Sequence, residues 1–120
     1  MEQGEVTNLS YLHNMCDGDR AFMEEMIYSY LDDIPQAIED IRQYKQEEAW
    51  ELLGKAVHKI KPSVQFMGLS TIEPLIIGVE KDGKHARNTD TLPGRVEKII
   101  TVLEASIPEL QRKINNGLTV

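Results

Sequence analysis

The stretch Ala49–Gly68, AWELLGKAVHKIKPSVQFMG, holds the pattern from which the fold of the whole chain is read. With each residue advanced about 100° around a helical axis, Ala49, Leu52, Leu53, Ala56, Ile60, Val64 and Met67 fall within a sector about 100° wide, with Val57 at its edge. A helix with one buried stripe follows, because residues three, four and seven apart share a face. His58 projects about 180° from the centre of that stripe, beside Gly54, Lys55, Lys61, Pro62 and Gln65. The helix is predicted to open near Glu47, since Glu47 and Glu48 suit the positive end of a helix dipole, and to end at Phe66 or Met67 before Gly68.

Toward the N-terminus, Leu9, Leu12, Met15 and Cys16 recur at helical spacing after Thr7, a candidate N-cap, and Asp17-Gly18-Asp19 stops the segment; a short helix near 8–15 is predicted. Asp19 then caps a long stripe made by Phe22, Met23, Met26, Ile27, Tyr30, Leu31, Ile34, Ile38 and Ile41, which reaches about Tyr44. Pro35 interrupts it, but the stripe continues in phase, so one kinked helix is favoured over two. Toward the C-terminus, Ser70-Thr71-Ile72-Glu73 has the form of a capping box. Leu75, Ile76 and Val79, with Ile72, give the next helix its buried face, and it frays near Arg87. After the polar connection Asn88–Thr91, Pro93 starts a last helix carrying Val96, Ile99, Ile100, Leu103, Ile107, Leu110 and Ile114, which Asn116-Gly117 closes. Strand-like alternation is not sustained anywhere, and the connections are short. The fold class is therefore all-α, an antiparallel four-helix bundle with a short additional N-terminal helix.

The 120 residues make one domain, 1–120, without repeat, low-complexity tract or linker. A single cysteine, Cys16, excludes an internal disulfide and a cysteine-rich zinc site, so a reducing cytoplasm is the expected location. No apolar run approaches the roughly 20 residues of a membrane span, and Met1–Glu5 lacks the basic and apolar regions of a signal peptide. A net charge of −7 argues against nucleic-acid and anionic-membrane partners. The local exception is Lys55, Lys59 and Lys61, three of the 13 basic residues within seven positions, which would attract an acidic surface or a phosphoryl group.

A neutral imidazole is nucleophilic and takes an electrophile on one nitrogen while the other keeps a proton. Phosphoryl transfer to such a group asks mainly for access, alignment and stabilisation of spread charge. Lys61, one turn beyond His58, would supply charge, with Lys55 and Lys59 at the flank, and Gln65 would donate a hydrogen bond. Pro62 lacks the N–H that would bond the His58 carbonyl, which predicts a local bend, and Gly54 leaves room beside the ring for a docking partner.

His58, Lys61, Ser63 and Gly68 stand where the histidine-containing phosphotransfer domain of multistep phosphorelays has its histidine, then lysine at three, serine at five and a small residue at ten. The segment resembles that signature. Pro62 departs from it, since the family usually has glycine four residues after the histidine. The resemblance outside this segment is one of architecture. It implies that His58 accepts a phosphoryl group from a receiver-domain aspartate and passes it to another, with the receiver domains of hybrid histidine kinases and response regulators as partners. It further implies that Lys61 and Gln65 assist, that Lys55, Lys59, Pro62, Ser63 and Gly68 belong to the docking surface, and that Mg²⁺ belongs to the receiver. This chain is then expected to be a monomer with no cofactor or metal of its own. No P-loop or kinase glycine loop is present, so ATP-dependent kinase activity is not expected.

Other readings stand beside this one. A helical adaptor could dock receivers without phosphorylation, and an unrelated bundle could carry the basic patch by chance. Ser63 suits a bond back to its own helix as well as a phosphoryl contact, and Phe66 and Met67 suit packing. His13 and His85 read as surface groups, with His85 favoured by a helix end. Glu24, Glu25, Asp32, Asp33, Glu39 and Asp40 read as the solvated face of the long helix, and Cys16 and the methionines as packing residues.

Overall fold

The apolar stripes resolve into five helices in the computed structural model, which describes residues 5–118: α1 (Ser10–Met15), α2 (Arg20–Gln46), α3 (Trp50–Phe66), α4 (Glu73–Lys84) and α5 (Leu92–Asn115). The fold is all-α, with no strand among the described residues. None of these helices is long and apolar enough to cross a membrane.

Helix α2 begins where Asp19 Oδ1 accepts the Phe22 N–H at 3.2 Å. Its buried stripe is Met23, Ile27, Tyr30, Ile34, Ile38 and Ile41, and the helix runs unbroken through Pro35, as the phase of the stripe predicts. Burial on both sides of the proline outweighs the one backbone bond it removes.

Three helix starts differ from their predicted positions. α1 begins at Ser10, not near residue 8, because Thr7 is no cap; Asn8 Oδ1 accepts the Ser10 N–H at 3.0 Å while Thr7 is buried elsewhere. α3 begins at Trp50, since Glu47 serves as the C-cap of α2 and Glu48 turns the chain at φ +55°, leaving only Glu51 in the first turn of α3. α4 begins at Glu73 with no side-chain cap bond, so Ser70–Glu73 does not form the predicted capping box. That helix ends at Lys84, before Arg87, where Ala86 and Asn88 adopt φ +48° and +51°. At the far end of α5, Gly117 at φ +94° donates to the Ile114 carbonyl at 3.1 Å, closing the helix as predicted.

Helix α2 packs on α3 and α5, α4 packs on α3 and α5, and α1 lies against α2 and α3. Pairing of Tyr30 with Ser106, Arg42 with Glu104 and Lys45 with Glu97 runs α2 and α5 in opposite directions. Leu12, Ile27, Ile41, Leu53, Val57, Val79, Leu92, Val96, Ile99 and Leu103 are wholly enclosed between the helices. Tyr30 and Ser106 bring a polar pair into this core. Ser106 Oγ donates to the Leu103 carbonyl at 2.6 Å, so the Tyr30 hydroxyl must donate to Ser106 Oγ at 2.7 Å, and burial pushes Tyr30 up to about 12.

Two constraints position α3. At its N-terminal half α3 and α4 touch backbone to backbone: a Cβ on Gly83 would lie 2.7 Å from the Trp50 carbonyl and 3.2 Å from Gly54 Cα. At its C-terminal end Gly68 holds φ +67°, and the Asn8 carbonyl occupies the place of its missing Cβ, at 2.0 Å. Asn8 N–H also donates to the Met67 carbonyl at 3.1 Å. The segment carrying Asn8 is held by buried Glu109, whose oxygens accept the Val6 N–H at 2.9 Å, the Thr7 N–H at 2.8 Å and the Thr7 hydroxyl. Lys113 Nζ bonds Thr7 Oγ1 at 2.7 Å and lies 3.6 Å from Glu109. Burial opposes charge on Glu109, but the Thr7 hydroxyl, the two N–H groups and Lys113 outweigh it and hold the carboxyl below its ordinary range.

Gly83→Ala is expected to destabilise the protein by about 2 kcal/mol or more, because the added methyl meets backbone that cannot yield. Gly94→Ala, with open space around its Cβ, should be neutral or gain up to about 1 kcal/mol. Urea denaturation of both variants checks the contrast.

Since Glu109 has a lowered folded pKa, the stability it contributes is present above its unfolded pKa of about 4.3 and is lost as pH falls through the folded value. Glu109→Gln should cost roughly 1–3 kcal/mol at pH 7, with the deficit shrinking in acid. Denaturation of the two proteins across pH 3–7 measures it.

Candidate functional site

The close crossing of α3 and α4 brings one carboxylate to the outer face of α3. A Cβ on Gly54 would lie 3.1 Å from the Glu80 carbonyl, so the Glu80 backbone sits directly beside the turn that precedes His58. From there Glu80 Oε2 reaches His58 Nδ1 at 2.5 Å, and Oε1 accepts from Lys61 Nζ at 2.9 Å. The His58 side chain is 63% exposed. It therefore projects outward, as the apolar pattern predicts, yet its inner nitrogen is held.

The hydrogen bond from Lys61, against the opposing effect of burial and with the help of His58, holds the Glu80 carboxyl below its ordinary range. An ionised carboxylate only accepts hydrogen bonds, so Nδ1 carries the proton of neutral His58. The lone pair is then on Nε2, the nitrogen not engaged by Glu80. A nucleophile, an orienting acceptor and an ammonium are thus gathered at one point on the surface.

Glu80 was not singled out by the sequence pattern. It stands on the flank of the α4 stripe, between buried Val79 and Gly83, where a carboxylate looks like an ordinary solvated residue. The available signal is glycine itself: it weakens a helix interior, so Gly54 in α3 with Gly78 and Gly83 in α4 points to a close approach, which Gly83 makes. Gly54 itself is buried against α4, which overturns its reading as clearance for a docking partner. The predicted apolar sector is also rotated, with Val57 fully buried and Leu52 47% exposed. Contact with α4 as well as α2 turns the buried stripe toward Leu53, Gly54, Val57, Ile60 and Val64.

The remaining predicted site residues are divided by His58. Lys55 and Lys59 line a groove of about 500 Å³ between α2 and α3, opposite Asp32, Asp33 and Asp40. Part of the acidic face of α2 is thus the wall of a groove. Gln65 lies on the other side, with Lys61, Glu73, Ile76 and Ile77 around a depression of about 310 Å³. Lys55 and Lys59 therefore border a different depression from Gln65. Pro62 is exposed and α3 continues through it to Phe66, while Ser63 is half-buried on the α2 side. Gly68 serves the turn against Asn8. Phe66 packs on Tyr11, ring centroids 5.7 Å apart. His13 and His85 lie at the ends of α1 and α4.

Comparison with protein-family models, with curated proteins and with solved structures gave no match.

Nitrogen NMR of imidazole-labelled protein at alkaline pH is expected to show the proton of His58 on Nδ1, and Glu80→Ala should move it toward the Nε2–H form that free imidazole side chains favour. An Nε2–H tautomer in the parent protein would contradict the assigned role of Glu80.

Proposed function

We propose that this chain is a phosphoryl carrier of a phosphorelay, in which His58 takes a phosphoryl group from one receiver-domain aspartate and gives it to another. The observation that carries this function is the exposed His58 ring with its Nδ1 on a carboxylate shared with Lys61. The resemblance of His58, Lys61, Ser63 and Gly68 to the histidine-containing phosphotransfer signature supports the same function. In this proposal α2–α5 form the antiparallel four-helix bundle of that family and α1 is an added helix. The chain works as a cytoplasmic monomer, and the Mg²⁺ that aids the exchange belongs to the receiver.

In the forward step the Nε2 lone pair attacks phosphorus of an aspartyl phosphate. The N–P bond forms, the acyl O–P bond breaks, and the aspartate leaves as a carboxylate. The ring becomes cationic, and Glu80 stabilises it through the Nδ1–H it already accepts. Lys61 is one turn from His58 and exchanges its Glu80 contact for the phosphoryl oxygens, whose charge it offsets. The second transfer reverses these events: a receiver aspartate attacks phosphorus and neutral His58 is restored.

Incubation with phosphoramidate or a phosphorylated receiver domain is expected to give an acid-labile, base-stable label that is absent in His58→Gln. Label persisting in His58→Gln would overturn the assignment, and receiver binding without any label would instead identify a helical adaptor. Lys61→Ala should slow transfer roughly 10- to 100-fold while changing receiver affinity by no more than about twofold. Equal rates in both proteins would remove Lys61 from the chemistry.

A further inference from the structure

Pro62 is the position at which this chain departs from the signature it resembles, and it stands between two apolar depressions. One, of about 360 Å³, opens toward α2 and is lined by Phe22, Met26 and Phe66. The other, of about 310 Å³, opens toward α4 and is lined by Val64, Ile76 and Ile77. Pro62 borders both. Phe22 is 47% exposed and Ile77 58% exposed, so each depression has a large apolar side chain at its lip, one on either side of the turn that follows His58. Isolated exposed apolar residues are ordinary, but two flanking a reactive group across a rigid ring form a shaped surface.

Both depressions carry acidic side chains at their rims. Glu25 and Asp33 border the first depression and Glu73 the second, and none of the three forms an ion pair among the described residues. Lys55 stands one turn before His58 and Lys59 directly after it, both toward α2 and opposite Asp32, Asp33 and Asp40. The surface beyond the imidazole is thus apolar with carboxylates at both rims, and the one lysine bordering it among the described residues, Lys61, is bound to Glu80. A complementary partner presents two apolar side chains flanked by Lys or Arg, next to the acidic pocket that holds its aspartate.

We infer that Phe22, Pro62 and Ile77 form the partner-selecting surface of this protein, and that Pro62 admits receiver domains whose apolar side chains straddle it. The inference rests on the proposed phosphorelay function and adds to it the determinant of partner choice. Proline acts here by exclusion. Its ring divides what glycine would leave as one continuous trough, so a receiver with a single bulky side chain over this point is rejected.

Phosphoramidate labelling, which needs no docking, and transfer from each receiver domain encoded by the same genome separate the two levels. Phe22→Ser and Ile77→Ser should keep phosphoramidate labelling within about twofold of the parent and lose at least about tenfold in receiver-dependent transfer. Pro62→Gly, normalised to its own phosphoramidate rate, should accept phosphoryl groups from receivers that the parent rejects. Parent-like transfer in Phe22→Ser and Ile77→Ser, an unchanged receiver profile in Pro62→Gly, or labelling of the parent by phosphoramidate but by no receiver would each overturn the inference. Failure of the parent to label with phosphoramidate would overturn the phosphorelay function itself.

Discussion

The backbones of α3 and α4 meet at Gly54 and Gly83, and the groups around His58 take their positions from that crossing. Any side chain at Gly83 would collide with the Trp50 carbonyl, so the approach exists only because both helices carry glycine there. With the axes this close, a side chain as short as glutamate spans from α4 to the outer face of α3 and binds two residues of that face at once. Were the helices separated by ordinary side chains, Glu80 would face solvent, and His58 would be a freely rotating surface imidazole. The cost in helix propensity at the two glycines is offset by burial of Leu53, Val57, Ile76 and Val79 along the same contact.

The electrostatics of the site depend on one carboxylate serving two partners. Glu80 is only partly exposed, and Lys61 keeps it ionised. Its negative charge fixes the proton on Nδ1, while the attached ammonium stands one helical turn from the reactive nitrogen. In the proposed transfer the same carboxylate would neutralise the ring and release the lysine.

Most of the fold was legible because helical periodicity survives local interruptions. The α2 stripe kept its phase across Pro35, and Gly68 and Gly117 ended helices at positive φ as their positions implied. Helix starts were less legible, since a cap depends on where a side chain finds its best partner. Thr7 has the chemistry of an N-cap but is taken up by Glu109, 102 residues away. Ser70 and Glu73 have the spacing of a capping box that the turn from Gly68 to Ile72 does not form. The outward angle of His58 was likewise visible in α3 alone, whereas Glu80 was not, because it comes from another helix and its relevance depends on the glycine crossing. For a related reason Lys55 and Lys59 border a different depression from Gln65: α3 is flanked by α2 on one side and α4 on the other.

Nε2 of His58 is the proposed phosphoryl acceptor. Phosphorus–nitrogen correlation NMR on the protein treated with phosphoramidate tests it directly. A single phosphohistidine signal is predicted, with phosphorus bonded to Nε2 of His58 and a proton retained on Nδ1. Phosphorus on Nδ1, on His13 or His85, or on no histidine at all would contradict the account.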